Sequence, residues 1–170
     1  MKLLASLAGG LAGAVTVTLL HEIIRKIDPS APRMDLVGKV VTEKLMQKAG
    51  RNIPTSNKIY ATSLAGSLMA NTLYYSLAGI GHKNLLSVGS MLGLTAGAGA
   101  VTLPAKLGLN GVHNSGTAKS KWMTLALYLT GGLVAAAVTR RIEKRKNKKH
   151  LVSPYNPPEQ AYKPILDIMV

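Results

Sequence analysis

The sequence predicts an all-α integral membrane helical bundle, with about four transmembrane segments and one interfacial amphipathic helix. Hydrophobic residues make up 47% of the 170-residue chain and charged residues only 16%, and the two are segregated into long apolar blocks and short basic ones. Inside the blocks, small residues recur four apart, which gives a helix a smooth face for close contact in lipid.

The first block runs from Leu3 to Leu20 without a charge and, past His21 and Glu22, extends to Ile24. At about 1.5 Å per residue, residues 3–24 can cross a hydrocarbon core about 30 Å thick. The alternative is a signal peptide with Lys2 as its basic region and Ala12-Gly13-Ala14 as its cleavage site. It is disfavoured because the apolar run continues past that site. The second segment, 59–80, carries Thr62, Ser63, Ser67, Asn71, Thr72 and Ser76 but no charge, so its polar groups are expected to face neighbouring helices. Ser67, Asn71 and Thr72 then form interhelical hydrogen bonds or, alternatively, line a polar solute path. The third segment, 85–103, is rich in glycine and ends at Pro104. The fourth, 122–139, opens on the interfacial aromatic Trp122 and stops at Arg140-Arg141.

Between the first two segments, Met34, Leu36, Val37, Val40, Val41, Leu45, Met46 and Ala49 recur at helical spacing, opposite Lys39, Glu43, Lys44 and Lys48. This pattern predicts an amphipathic helix over 34–49 in the headgroup plane, or packed on a soluble partner. The membrane domain is thus residues 1–140, and 141–170 is a basic, Pro-containing tail expected to be a frayed helical extension and then an extended terminus.

Three blocks share the pattern Leu, small, Gly, small, Leu, any, small, beginning at Leu7, Leu64 and Leu129. The pattern pairs Gly9 with Gly13, Gly66 with Ala70 and Gly131 with Ala135, while the third block aligns Gly89, Gly93 and Gly97 in the manner of a glycine zipper. In water, each glycine inside a helix costs about 1 kcal/mol relative to Ala, so the density of glycine points to packing in lipid. Duplication and chance matching in Ala- and Gly-rich spans are both compatible with the repeat.

A net charge of +14 suits anionic lipid or nucleic acid, and the uncharged blocks favour lipid. Arg140, Arg141, Lys144, Arg145, Lys146, Lys148 and Lys149 are the expected contacts to anionic headgroups, at about 1 kcal/mol per basic residue. Four crossings distribute the Lys and Arg residues ten to one side and eleven to the other, so the positive-inside rule gives no orientation. A re-entrant third segment turning back near Pro104 would give sixteen against five. Four crossings is the preferred reading because the third segment is long enough to span.

His21-Glu22 opens like a zinc-protease motif, but Arg25 stands where the second His belongs, and a cation cannot be a ligand. The cluster His21, Glu22, Arg25, Asp28, Arg33 and Asp35 reads as a charged helix end at the interface, with a headgroup or ion-pair site as its functional alternative. The chain has no Cys, no phosphate-binding glycine loop and no carboxylate pair inside a span. No catalytic residue, metal or cofactor is expected. The leading expectation is a structural or accessory membrane protein that forms a homo-oligomer or joins a larger membrane complex. The alternatives are a small-solute or ion channel and, third, an interfacial lipid-modifying enzyme using His21 or Glu22.

His21-Glu22, Arg25, Pro29, Ala31-Pro32-Arg33-Met34-Asp35 and Gly38, with Leu73-Tyr74-Tyr75-Ser76-Leu77, Leu103-Pro104 and Leu107-Gly108-Leu109, resemble a group of small uncharacterised multi-pass bacterial membrane proteins. The resemblance covers most of residues 1–140. It implies a location in the bacterial inner membrane and brings no activity with it.

Overall fold

The structure, a computed structural model, describes residues 2–80, 84–106, 108 and 117–151, the last six as backbone only. Five α-helices follow one another: α1 (Lys2–Ile27), α2 (Met34–Lys48), α3 (Ser56–Ser76), α4 (Leu85–Lys106) and α5 (Ala118–Leu151), with a single 3₁₀ turn, Leu77–Gly79, after α3. There is no strand among the described residues. Three helices, α1, α4 and α5, are long and apolar enough to cross a membrane.

Local chemistry sets the helix ends. Pro29 disfavours helical geometry at Asp28, and the Asp28 carboxylate accepts the Ser30 N–H at 2.8 Å, so α1 ends in a tight turn. α2 closes on Gly50, whose φ of 65° allows the Gly50 N–H to reach the Gln47 carbonyl and the Arg51 N–H to reach Met46, both at 3.0 Å. α4 runs through Pro104, which lies in its last turn and gives up only the bond to the Ala100 carbonyl. The helix is continuous from Leu85, with no turn-back before that proline. α5 likewise runs on through Arg140-Arg141 to Leu151, across the expected boundary between membrane domain and tail. The arginines end the apolar stretch without ending the helix, because Arg, Lys and Glu are good helix formers and no Gly or Pro intervenes.

α1 and α5 form the antiparallel centre of the bundle. At one end, the Thr139 hydroxyl lies 3.4 Å from the Ala5 carbonyl; at the other, Lys119 pairs with Asp28 at 2.6 Å. α3 packs along the outside of α1, and α4 along the outside of α5. α3 also runs antiparallel to α1, since Tyr60 meets Glu22 near its start and Thr72 and Ser76 meet Gly10 near its end. α3 and α4 barely touch. The buried centre is Val17, Tyr75 and Ala135, enclosed by Tyr74, Leu92 and Tyr128.

Glycine makes these approaches possible. A Cβ on Gly13 would stand 2.5 Å from the Gly131 carbonyl oxygen, and one on Gly93 2.7 Å from the Leu129 Cα. The adjacent pairs divide their contacts: Gly9 faces α5 while Gly10 faces α3, and Gly131 faces α1 while Gly132 faces α4. Gly89, Gly93 and Gly97 all meet α5, and Ala135 is fully buried on the α1 side. Gly66 is the exception, with nothing within 4 Å of the position a Cβ would take, and its mate Ala70 is exposed. Of the three Leu-small-Gly repeats, two are therefore consumed inside the bundle and the one on α3 is not.

Candidate functional site

A cleft of about 630 Å³ opens where α3 and α4 part, a volume within the roughly 300–1,000 Å³ typical of small-molecule sites. The sequence makes this space on α4, where Ala96, Gly99 and Ala100 form one wall with side chains too small to reach α3. Opposite them stand Leu64, Ser67, Ala70 and Asn71 of α3. Met34, Val37 and Val41 of α2 roof the cleft with half-buried side chains. Its inner end is marked by the Tyr74 hydroxyl hydrogen-bonded to Thr95 Oγ1 at 2.6 Å, a direct tie between α3 and α4. Beyond it the bundle is filled by Tyr75, whose hydroxyl donates to the Tyr128 carbonyl at 2.8 Å.

The other end of the cleft carries a polar crown. The His21 Nε2–H donates to the Pro32 carbonyl at 2.7 Å, which pins the loop to α1 and fixes the ring tautomer. Arg25 donates through Nη2 to Glu22 at 2.6 Å and through Nη1 to Asp35 at 3.4 Å, and the Tyr60 hydroxyl donates to the second Glu22 oxygen at 3.0 Å. Arg33 grips both oxygens of Asp35 at 3.2 Å. Asp35 also sits in the first turn of α2, where a negative charge is favourable. Within the run Ala31-Pro32-Arg33-Met34-Asp35, the buried Ala31 and Pro32 turn the chain, and the charged Arg33 and Asp35 tie α2 to α1.

Burial raises the Asp35 carboxyl, but the hydrogen bond and charge of Arg33 and the charge of Arg25 outweigh it, leaving the group below the usual carboxylate range. Asp28 is lowered chiefly by its hydrogen bond to Lys119. Both groups are more acidic folded than unfolded. Their stabilisation is therefore present above the unfolded value, near pH 4, and is lost as the pH falls through the lower folded value. The melting temperature is expected to drop between about pH 5 and about pH 3, and Asp35→Asn should flatten that part of the profile.

The cleft brings together two groups of residues that the sequence singles out separately. His21, Glu22 and Asp35 line its polar end, and Ser67 and Asn71 line its wall. Neither Ser67 nor Asn71 makes a side-chain hydrogen bond among the described residues. Arg25 and Arg33 stand behind the carboxylates, and Asp28 belongs to the separate pair with Lys119. Thr72 does not line the cleft: its carbonyl oxygen faces Gly10 of α1, and its hydroxyl donates to the Leu68 carbonyl of its own helix at 2.7 Å. Arg140, Arg141, Lys144 and Arg145 lie on the far extension of α5; the side chains of Lys146, Lys148 and Lys149 fall outside the described residues.

Sequence reasoning passes over Tyr60, Thr95, Tyr128 and Lys119 as site or tie residues. The usable signal is the row of small residues Ala96, Gly99 and Ala100 beside the glycine stripe, since small residues on two helix faces mark one close contact and one space. No family model matches the chain, and no curated protein or solved structure is significantly similar to it.

Proposed function

We propose that this chain is a non-enzymatic accessory protein of the bacterial inner membrane, related to the small multi-pass proteins it resembles, which holds a lipid-like guest in the cleft between α3 and α4. The observation that carries this reading is the form of the cleft: charged groups at one end, walls of mostly small and apolar residues with Ser67 and Asn71 among them, and a position between the parted α3 and α4. From Tyr60 to Asn71 it follows α3 for roughly 16 Å, about half the thickness of a hydrocarbon core. This is the depth of one leaflet, with the charged crown at the level of the headgroups.

The guest-binding reading needs four crossings. α1 ends at Asp28 beside Lys119, and α4 begins at the opposite end of the bundle, where Gly89 meets Gly132. The chain must cross back between them, and α3 supplies that return. The hydroxyls of Thr62, Thr72 and Ser76 are compatible with lipid because each donates to a carbonyl of its own helix. Both bundle ends carry basic residues, and those beyond Arg140 are assigned to anionic headgroups. A channel is less favoured because Tyr75, Val17 and Ala135 fill the centre beyond Asn71.

Two experiments test these statements. The chain has no Cys, so single cysteines can be introduced at Asn52, Ser115 and Ser153 for accessibility labelling. Asn52 and Ser115 are expected on one side and Ser153 on the other; Asn52 and Ser115 on opposite sides would rule out the return crossing. A photoactivatable alkyl chain in nanodiscs should label the α3 and α4 walls, and Ala100→Trp, which fills the cleft, should suppress that labelling. Label spread evenly over the outer helix faces would end the guest-binding reading.

A further inference from the structure

The charge of the cleft runs against the charge of the chain. Seven acidic residues stand against 21 basic ones overall, yet Glu22 and Asp35 line the cleft and, among the described residues, no Lys or Arg does. The neutralising guanidiniums face the carboxylates from outside it. Arg25 uses both terminal nitrogens on Glu22 and Asp35, and its remaining Nε is enclosed with no partner among the described residues. Arg25 itself does not line the cleft.

The two carboxylates differ in spare capacity. Asp35 accepts three side-chain bonds, two from Arg33 and one from Arg25, and is nearly closed to the surroundings. Glu22 accepts two, from Arg25 and Tyr60, and its side chain is 27% exposed. An ionised carboxylate has about four acceptor positions, so Glu22 keeps about two for a guest. A phosphate or carboxylate head beside Glu22 would meet like charge with no Lys or Arg lining the cleft to offset it, the unbonded Ser67 and Asn71 lying farther along the α3 wall. An ammonium group, with three donors and no acceptor, has the complementary chemistry.

We infer that the cleft selects an amphiphile bearing an ammonium head, which Glu22 holds while the acyl chain lies along Ala96, Gly99 and Ala100. This inference rests on the guest-binding reading above and adds the class of guest. The ammonium can belong to an aminophospholipid of the bilayer or to a free long-chain amine. In either case the guest differs from the anionic lipids assigned to the extension of α5.

The test uses the full chain in phosphatidylcholine nanodiscs with three photoactivatable alkyl probes of equal length, ending in an amine, an alcohol or a carboxylate. The amine probe should label the cleft walls roughly tenfold more than the carboxylate probe. Glu22→Gln should bring amine labelling down to the level of the alcohol, and Ala100→Trp should suppress all three. Because Glu22→Gln also removes a partner of Arg25, competition on the unaltered chain gives an independent readout: unlabelled hexadecylamine should displace the amine probe and palmitate should not. Displacement by phosphatidylethanolamine identifies the lipid source; displacement by the free amine alone identifies the other. Equal labelling by all three heads, or preference for the carboxylate, overturns the ammonium assignment and leaves a guest cleft standing. No cleft labelling by any probe overturns the guest-binding reading itself.

Discussion

Gly93→Leu is expected to abolish the folded bundle, whereas Gly66→Leu, on a helix with the same small-residue pattern, leaves it intact. A Cβ at position 93 would stand 2.7 Å from both the Leu129 Cα and the Tyr128 carbonyl oxygen, backbone atoms that cannot rotate away. Forcing atoms into packed space costs about 1–3 kcal/mol when side chains can yield, so a whole isobutyl group against backbone costs about 3 kcal/mol or more. At position 66 no atom lies within 4 Å of the added carbon, and the change should stay within about 0.5 kcal/mol. Thermal melting with size-exclusion profiles in mild detergent distinguishes the two. A destabilised Gly66→Leu beside an unaffected Gly93→Leu would mean that α3, not α4, makes the tight contact.

The second large effect falls on Tyr75, the bulkiest of the fully buried side chains, at 1% exposure. It wedges between α1 and α5, edge-on to Tyr74 with ring centroids 5.8 Å apart and its hydroxyl on the Tyr128 carbonyl. Tyr75→Ala removes an entire aromatic ring at the meeting point of three helices and should cost about 3–5 kcal/mol. Tyr75→Phe removes only the hydroxyl. Side-chain hydrogen bonds between membrane helices average about 0.6 kcal/mol, so Phe should cost about 1 kcal/mol or less. The ratio is the test: a Phe variant as damaged as the Ala variant would show that the hydroxyl, not the ring, holds the helices together.

These two residues also show what sequence reading reaches and where it stops. The alignment of Gly89, Gly93 and Gly97 is legible because a contact made by one helix face leaves a period of four on that helix alone. The same logic names Gly9 with Gly13 and Gly131 with Ala135. It also names Gly66 with Ala70, and there the structure has no neighbour, since a small-residue stripe permits a close contact without requiring one. The cleft is not legible as a whole. Its polar end needs Tyr60 beside Glu22, 38 positions away, and its tie needs Tyr74 beside Thr95, 21 positions away; no local spacing encodes either meeting. Amphipathic patterning predicts a helix over 34–49 and α2 spans Met34–Lys48, but the pattern alone does not say that its apolar face covers a cavity. Arg140-Arg141 reads as the end of a segment. It is the end of what can sit in hydrocarbon, which is a different boundary from the end of a helix.

That difference has a mechanical meaning. α5 has 18 uncharged residues, Trp122 to Thr139, between Lys121 and Arg140. At about 1.5 Å per residue this run is about 27 Å long, barely the thickness of the layer it would cross. A vertical slip by one turn in either direction drags Lys121 or the arginine pair inward, against about 2.5–3.5 kcal/mol for each charge that reaches the middle. In a bilayer, α5 would thus be held at one depth like a bolt with a head at each end. Because Gly13 and Gly93 bring α1 and α4 against its backbone, neither neighbour can move along it without unlocking those contacts. In a bilayer, the elevation of Glu22 would then depend on the charges that bracket α5 as well as on Arg25 and Lys26 at the end of its own helix.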